Sequence, residues 1–340
     1  MPLDPIRFTR QLVDVESITG NEIACGELLS RELSAAGMNV KHVQVKEGRF
    51  NLLATFPATP YPEVFLSTHF DTVPPFIPSR EDAENIYGRG SCDAKGIIAA
   101  MTAAALRLHE QKKDVGLLFL AGEEQGSDGA KIANAQANEL HGGKCKFLIN
   151  GEPTESKMGI ASKGTLRGVV TASGKMAHSA YPHLGESAIE KLVQALERLR
   201  TMKLPSDPEI GPCTMNIGMM SGGRAPNVIP DHAEAQLLYR LVGPTDELKR
   251  SIRMKVGDLV KVEFYLEIPF MRLATVDGIP TMIAAFTTDI PALTNWGKPL
   301  LFGPGSIHVA HTDHEYIAKK ELLAAVDTYV RIASLASAGK

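Results

Sequence analysis

The segment Glu63-Val64-Phe65-Leu66-Ser67-Thr68-His69-Phe70-Asp71 has an apolar first half and ends in a histidine and a carboxylate. Its first five residues predict a short buried strand. Comparable runs predict strands at Asn51–Phe56, Val115–Leu120 and Cys145–Ile149, and an Ala-rich stretch predicts a helix over Gly96–Glu110. Because strands alternate with helices, we expect an α/β fold with a mostly parallel sheet and helices on both of its faces.

Helix signals precede these strands. Asp4-Pro5 places a capping carboxylate before a proline at the first helical position. Thr19 and Glu22 have the spacing of a capping box, and Gly37 is a suitable stop for the helix that this box would begin. We therefore expect two helices ahead of the first strand.

The pattern changes after about Gly159. From there the predicted elements follow the order βαββαβ, which is typical of a split ferredoxin-like α+β sandwich. These elements are Thr165–Ser173, Ser187–Arg200, Thr214–Met220, Ala233–Val242, Thr245–Gly257 and Val260–Ile268. The α/β pattern then resumes with a strand at Pro299–Phe302 and a helix at Glu321–Leu335.

The chain has 340 residues, which is more than one hydrophobic core usually supports. We therefore predict two domains, a discontinuous one made of residues 1–158 and 271–340, and an inserted one of residues 159–270. The boundaries follow from the change of element pattern on either side of the insert.

Composition and charge exclude several classes of partner. The net charge is −3 and no basic block stands out, which argues against nucleic acid and anionic membrane surfaces. No apolar run approaches the roughly 20 residues that span a bilayer, and the N-terminus lacks a secretory pattern. The cysteines are scattered without a CxxC pair, so we expect a reducing, cytoplasmic setting and any metal to have nitrogen and oxygen ligands. They are Cys25, Cys92, Cys145 and Cys213.

Histidine and carboxylate side chains follow the predicted strands. His69 ends one strand, Glu123-Glu124 follow another, Glu152 follows a third, and Asp93 precedes the Ala-rich helix. A late Gly-Pro-Gly turn leads to three histidines, His308, His311 and His314. Open α/β sheets bind ligands outside the carboxyl ends of their strands, so we expect these groups to converge at one sheet edge.

Such a set suits the hydrolysis of an amide. Two divalent cations roughly 3.5–4 Å apart activate a water and stabilise the oxyanion, and a shared carboxylate holds them together. Imidazole and carboxylate ligands favour zinc, with cobalt or manganese as alternatives. Asp71 could hold the second ring nitrogen of His69. Of the adjacent Glu123 and Glu124, one could bind metal while the other accepts a proton from the water.

In this order, the residues resemble the M20 metallopeptidase family, and most closely its branch of acetylornithine deacetylase and succinyl-diaminopimelate desuccinylase. The resemblance covers essentially the whole chain. Its motifs are His69–Pro74, Gly88–Gly90 with Asp93 and Lys95-Gly96, Gly122–Ser127, Asn150–Thr154, and Gly303–Ser306 with His311. The resemblance implies a di-zinc catalytic domain and an inserted lid domain that forms a homodimer.

The family pattern also implies a role for each matching residue. His69, Asp93 and Glu152 would hold one ion, and Asp93, Glu124 and His311 the other, with Asp93 bridging. Glu123 would be the general base, and the peptide bond Asp93–Ala94 would be cis. His311 is preferred to His308 and His314 because Glu315-Tyr316-Ile317 follows it at the family's spacing.

The inserted domain carries further candidates on the same resemblance. His178, within Met176–Pro182, matches a histidine that reaches the neighbouring protomer's active site and donates to the oxyanion. Asn227 and Arg240 match the region that grips the substrate's carboxylate, because arginine can meet a carboxylate with two hydrogen bonds. Lys163, Gly305 and Ser306 complete the predicted substrate-binding residues.

The resulting hypothesis is a hydrolase that removes the acyl group from an N-acyl amino acid, with a role in amino-acid biosynthesis. A di- or tripeptidase of the same family is the alternative, and a non-catalytic metal-binding protein is a third possibility. The presence of Glu123 argues against the third, because a binding protein needs ligands but no base. Ala94 stands where the family often has Met, and the chain is short for acetylornithine deacetylase, so the substrate stays open.

Overall fold

A computed structural model describes residues 3–338 of the chain. Its longer helices are α1 (Pro5–Val13), α2 (Ile23–Ala35), α3 (Lys95–Glu110), α4 (Asp128–Ala135), α5 (Ala137–His141), α6 (Ala188–Arg200), α7 (Asp246–Val256) and α8 (Lys319–Ser337). Short 3₁₀ turns lie at Glu123–Gln125, Pro182–Leu184, Gly257–Leu259 and Ile290–Ala292. None of the helices in residues 3–338 is both long enough and apolar enough to cross a membrane.

The strands are numbered in chain order. They are β1 (Asn39–Lys46), β2 (Arg49–Thr55), β3 (Val64–His69), β4 (Arg80–Glu81), β5 (Asn85–Tyr87), β6 (Gly116–Leu120), β7 (Phe147–Asn150), β8 (Met158–Ser162), β9 (Gly164–Ser173), β10 (Ala177–His178), β11 (Ser206–Asp207), β12 (Gly211–Pro212), β13 (Thr214–Gly222), β14 (Val228–Ile229), β15 (His232–Leu241), β16 (Lys261–Ile268), β17 (Met271–Arg272), β18 (Thr281–Ala284), β19 (Lys298–Leu301) and β20 (Tyr316–Ala318).

The chain folds into two compact units. The first comprises the residues up to Ile160, Arg272–Met282 and the residues from Thr288 onwards. The second comprises Ala161–Met271 and Ile283–Thr287.

A six-stranded sheet organises the first unit, in the order β1-β2-β6-β3-β7-β19. Strands β6, β3, β7 and β19 run parallel to one another, whereas β2 is antiparallel to both β1 and β6. Alternate residues of β6 pack on opposite faces of the sheet. Leu117 and Phe119 belong to the core that includes α3, and Leu118 and Leu120 belong to the core that includes α4. The predicted α/β fold with both faces covered is therefore confirmed.

Two features of the first unit differ from the sequence-based expectations. The prediction that Thr19 and Glu22 form a capping box is wrong. The Glu22 carboxylate binds Arg49 instead, and α2 begins without a side-chain cap. Strand β1 was not predicted, since it is an edge strand with mostly exposed side chains and no clear apolar alternation. The predicted caps at Asp4 and Gly37 are found, Gly37 with a φ of +88°.

The second unit contains a four-stranded antiparallel sheet in the order β13-β15-β9-β16. With α6 between β9 and β13, and α7 between β15 and β16, this is the βαββαβ sandwich that the sequence predicts. Ser187 caps α6 by accepting the N–H of Glu190, as its position suggests. Strand β13 lies at an edge of this sheet.

Candidate metal centre

Parallel strands bring the candidate residues of the first unit to one edge of the sheet. β3 ends at His69, β6 leads into the 3₁₀ turn Glu123–Gln125, and β7 ends two residues before Glu152. Because β6, β3 and β7 are adjacent and parallel, their carboxyl ends meet. Asp93 lies just before the N-terminus of α3. The convergence predicted from the sequence is present.

His69 is buried at the centre of this edge, with 1% of its surface exposed. Its Nε2 lies 3.0 Å from Asp93 Oδ1 and 4.0 Å from Glu152 Oε2. Its Nδ1 faces the main-chain carbonyl of Asp71 at 3.0 Å and the Asp71 carboxylate at 3.5 Å. One ring nitrogen is therefore held by Asp71, and the other points at the carboxylates.

His311 approaches the Asp93 carboxylate at the oxygen that His69 does not face. Its Nε2 lies 2.8 Å from Glu124 Oε1 and 3.4 Å from Asp93 Oδ2. The two oxygens of Asp93 therefore face two different histidines, Oδ1 towards His69 and Oδ2 towards His311. This is the arrangement that a carboxylate needs to bridge two cations.

Several observations fit a cation at this place. Ligand atoms of His69, Asp93 and Glu124 all lie within 4.8 Å of one another. The buried Oε1 of Glu152 has no hydrogen-bond partner among the described residues, although such atoms are normally satisfied. The donors are imidazole nitrogens and carboxylate oxygens, which suit zinc, cobalt or manganese.

Electrostatics support the same conclusion, because buried carboxylates outnumber the histidines. Burial raises the pKa of Glu152 well above its usual range, and the Glu123 and Asp93 carboxylates add to the rise against His69. Burial also acts to raise the pKa of Asp93, but hydrogen bonds from His311 and His69 lower it overall. Conversely, Asp93 and Glu124 raise the pKa of His311 to about 10. The buried carboxylates therefore place an excess of negative charge at this edge, which a cation would neutralise.

Asp71 orients the turn that carries the two glutamates. Its Oδ1 accepts the N–H of Glu123 at 3.1 Å, and its Oδ2 accepts the N–H of Glu124 at 3.2 Å and the hydroxyl of Thr19 at 2.8 Å. Gly122 opens this turn at a φ of +83°, where a Cβ would lie 2.0 Å from Asp128 Oδ1. The conformation of the turn is therefore constrained by the hydrogen bonds to Asp71 and by the close packing at Gly122.

Glu123 itself is half-buried. Burial raises its pKa well above the usual range, Asp289 and Glu124 add to the rise, and His69 opposes it. A carboxylate with a raised pKa is a stronger base, as a group that accepts a proton from water must be. The peptide bond Asp93–Ala94 is cis, as the resemblance implies.

Two candidates of the second unit lie side by side. β10 pairs with β14, so His178 is opposite Val228, and the N–H of Ser179 donates to the carbonyl of Asn227 at 3.0 Å. His178 and Asn227 are both exposed. The His178 Nδ1 accepts the N–H of Ala180 at 3.1 Å, and its Nε2 has no hydrogen-bond partner among the described residues.

The basic candidates of this unit differ from each other. Arg240 is half-buried and donates to Thr165 Oγ1 at 2.9 Å, and the described residues offer it no carboxylate within salt-bridge distance. Burial lowers its pKa, and the nearby Arg167 lowers it further. Lys163 instead is buried and donates to the carbonyl of Pro212 at 2.7 Å. Arg240 thus remains available for an anion, whereas Lys163 has a structural partner.

The remaining candidates belong to the late loop of the first unit. Gly305 has a φ of +79°, and a Cβ there would lie 2.5 Å from Cys92 Sγ. Backbone conformation and packing therefore explain why a glycine occupies this position. Ser306 Oγ donates to Glu155 Oε1 at 3.4 Å. His308 and His314 are exposed. The ring of His308 approaches Glu155 at 3.9 Å, and its backbone N–H donates to Ser306 Oγ at 3.3 Å.

Sequence reasoning missed Asp289, which is 1% exposed. Burial raises its pKa to about 6, and a hydrogen bond from Ser127 opposes the rise. Its Oδ1 is buried without a partner among residues 3–338. No local pattern marks this residue, because it lies just after the chain returns from the second unit.

Comparison with protein families gives two matches. Residues 160–262 match the M20 peptidase dimerisation domain, and residues 51–200 match peptidase family M28. The first match falls on the sandwich of the second unit, and the second includes the strand ends that carry His69, Asp93 and the glutamates.

Similar proteins are found over almost the whole chain. A peptidase M20 domain-containing protein of Schizosaccharomyces pombe is 36% identical over 96% of this chain and 83% of its own length. A probable carboxypeptidase of Aspergillus terreus is 37% identical, with 96% and 85% covered. Among solved structures, a tripeptidase of Staphylococcus aureus has a TM-score of 0.82 at 24% identity, covering 99% and 100% of the two chains. An M20 metallo-carboxypeptidase of Sulfolobus solfataricus has a TM-score of 0.76 at 15% identity, covering 98% and 99%.

Proposed function

Because this chain belongs to the M20 family of metallopeptidases and is a hydrolase, we propose that it cleaves the linear amide of an N-acyl amino acid. The observation that carries the proposal is the Asp93 carboxylate, which faces His69 with one oxygen and His311 with the other, beside Glu123 and Glu124. N-acyl amino acids share a free carboxylate next to the scissile amide with the C-terminal residue of a peptide. The proposed substrate class is defined by that feature.

We assign the metal ligands as the family resemblance implies. His69, Asp93 and Glu152 would hold one divalent ion, and Asp93, Glu124 and His311 would hold the other. The unpartnered Oε1 of Glu152 supports the first set, and the 2.8 Å approach of His311 to Glu124 supports the second. Zinc is the proposed metal, with cobalt or manganese as alternatives.

When bound, the ions would supply a more acidic water and polarise the amide carbonyl. In this proposal Glu123 would accept a proton from the attacking water and later donate it to the leaving nitrogen. Asp71 holds the backbone of Glu123 and Glu124 so that the two carboxylates keep separate directions. His69 keeps its Nε2 directed at Asp93 because its Nδ1 is held by Asp71.

Arg240 is the proposed partner of the substrate carboxylate. Its guanidinium has no acidic partner among the described residues, and burying such a group without a counter-anion is unfavourable. His178 is proposed as the donor to the oxyanion, with Asn227 beside it. Lys163, Gly305 and Ser306 are weaker proposals, because each already has a structural contact.

Arg240→Ala is expected to raise KM about 10- to 100-fold for substrates with a free carboxylate, which corresponds to one lost charge-assisted hydrogen-bonded contact. The measurement compares an N-acetyl amino acid with its carboxamide. The carboxamide should show little change, and Arg250→Ala, an exposed arginine on α7 of the same unit, is the control. Equal effects on both substrates would contradict the assignment.

A homodimer through the second unit is also proposed, because residues 160–262 match a dimerisation domain. β13 is an edge strand, and Met219 and Met220 on it are 64% and 63% exposed. Val193 on α6 is 54% exposed. Exposed apolar side chains beside a free strand edge are typical of a protein interface.

Replacing both Met219 and Met220 by Glu is expected to convert the dimer into a monomer, since four buried charges would enter the paired surface. Light scattering coupled to size exclusion measures the mass at micromolar concentration. Met254→Glu, at the 76% exposed Met254 of α7, is the matched control. A double variant that remains dimeric would rule out this surface.

A di- or tripeptidase activity is the second candidate, and the relatives favour it. Similar chains are named carboxypeptidase and tripeptidase, and a dipeptidase of Saccharomyces cerevisiae shares the fold with a TM-score of 0.74. Release of amine from N-acetylornithine, N-acetylcitrulline, N-succinyl-diaminopimelate, dipeptides and tripeptides distinguishes the two. Turnover of peptides alone would replace the deacylase proposal, and no turnover of any amide would end both.

We also propose a reducing, cytoplasmic location. The buried thiols of Cys25, Cys92 and Cys213 are free. Burial raises the pKa of Cys25 and Cys92, so both remain neutral thiols that are poorly reactive. Fractionation of the native cell tests this.

A further inference from the structure

Glu315 is a buried acid next to the loop that carries Asp93, with 1% of its surface exposed. Its Oε1 accepts three backbone N–H groups, from Gly90 at 2.9 Å, Cys92 at 3.1 Å and Asp93 at 3.1 Å. Three donors that converge on one oxygen stabilise a carboxylate more than a neutral group. The loop ahead of α3 is therefore folded around this single side chain.

Arg89 ties the same carboxylate to a second segment. Its Nη1 donates to Glu315 Oε2 at 2.7 Å and to the carbonyl of Thr312 at 3.2 Å. Thr312 follows His311, which has a φ of +63°, a conformation that few non-glycine residues adopt. Arg89 is itself 2% exposed. The buried pair thus joins the backbone of Asp93 to the backbone beside His311.

The loop has little freedom to compensate for loss of this pair. Gly88 and Gly90 have φ values of +132° and +87°, and a Cβ at Gly90 would lie 2.9 Å from Lys95 and Thr72 side-chain atoms. The N–H of Gly88 donates to the main-chain carbonyl of Glu315 at 3.1 Å. A change at Glu315 is therefore transmitted to the loop backbone.

We propose that Glu315, together with Arg89, is a positioning residue of the metal centre. The pair sets the separation of the Asp93 and His311 side chains, whose Oδ2 and Nε2 lie 3.4 Å apart. The inference rests on the proposed function, because it takes Asp93 and His311 as metal ligands. Neither Glu315 nor Arg89 contacts the reacting groups.

A purely structural role would have a different consequence. Buried ion pairs often contribute little net stability, and their loss destabilises the fold without regard to ligand geometry. Groups that orient metal ligands, in contrast, change metal affinity about 10- to 100-fold when they are replaced. Metal affinity measured separately from stability therefore distinguishes the two roles.

Glu315→Gln is the first test. Glutamine has the same size, but its NH₂ group must face either the three N–H donors or Arg89, so it cannot satisfy both. We expect affinity for the second equivalent of Zn²⁺ to fall about 10- to 100-fold, measured by competition with a chromophoric chelator. The visible spectrum of the Co²⁺-substituted variant should also shift, because the ligands change their geometry.

Glu22→Gln is the matched control. Glu22 is 1% exposed and binds Arg49 through bonds of 2.6, 2.9 and 3.0 Å, in the same unit. It should lose a comparable amount of thermal stability and keep its Zn²⁺ affinity within about twofold. If wild type binds two equivalents and Glu315→Gln binds them equally well, the positioning role is wrong. If wild type itself binds no Zn²⁺, the metal assignment of the proposed function fails first.

Arg89→Lys keeps the test decisive if Glu315→Gln does not fold. Lysine retains the charge beside Glu315 but offers one ammonium, which cannot reach both Glu315 Oε2 and the Thr312 carbonyl with the guanidinium's geometry. We expect about tenfold weaker Zn²⁺ binding and faster amide hydrogen exchange of residues 90–93 in the metal-free protein. Unchanged affinity together with unchanged exchange would overturn the proposal.

Discussion

Glu123→Gln is expected to lower kcat about 10²- to 10⁴-fold and to leave both metal ions bound. Glutamine keeps the size of the side chain and can still donate or accept a hydrogen bond, but it cannot take a proton from water. The backbone N–H of residue 123 would still donate to Asp71, so the adjacent Glu124 should keep its direction. The measurement is steady-state turnover together with metal content by mass spectrometry.

Gln125→Ala provides the control, because Gln125 lies in the same 3₁₀ turn and is exposed. It should keep kcat within about twofold. A Glu123→Gln enzyme with normal turnover would show that another group accepts the proton. Loss of metal in that variant would instead show that Glu123 is a ligand.

Asp93→Asn is expected to remove at least one of the two metal equivalents. We also expect kcat/KM to fall roughly 10³-fold or more, because a metal ion contributes several kcal/mol to stabilising the transition state. An amide can offer one oxygen to one neighbour, whereas the carboxylate offers Oδ1 towards His69 and Oδ2 towards His311. The change also removes the negative charge between the two rings. Metal content after dialysis and turnover with added Zn²⁺ are the two measurements.

Asp313→Asn, an exposed acid two residues after His311, is the matched control and should retain full metal content. Restoration of Asp93→Asn activity by excess Zn²⁺ would indicate weakened binding. Two tightly held ions in that variant would contradict a shared Asp93 and would require a different bridging group.

The sequence predicts the edge on which the site lies because strand ends have a local signature. The apolar run before His69 and the run before Glu123 are short, buried and parallel in the structure, as their composition suggests. The sandwich of the second unit is predicted for the same reason, because its strands and helices alternate with clear periods. Boundaries differ by one to three residues where helices extend past their apolar stripe, as in α8.

Long-range partners carry no such signature. Thr19 has the spacing of a helix cap, but its hydroxyl donates to Asp71, and the Glu22 carboxylate is drawn into a buried pair with Arg49. Tertiary contacts here override a local preference worth about 1 kcal/mol. Glu315 lies 222 residues from Asp93, and no pattern along the chain indicates that they meet.

The order of strands in the first sheet has a consequence for biosynthesis. β19 pairs with β7, and Glu315 binds the loop that carries Asp93. β19 and Glu315 both follow the second unit in the sequence, so the ribosome adds them only after it has made that unit. Until then Asp93 and Glu124 lack the imidazole of His311, whose Nε2 lies 3.4 Å from Asp93 Oδ2 and 2.8 Å from Glu124 Oε1 in the folded chain. The proposed second metal site can therefore be completed only after the second unit has been synthesised.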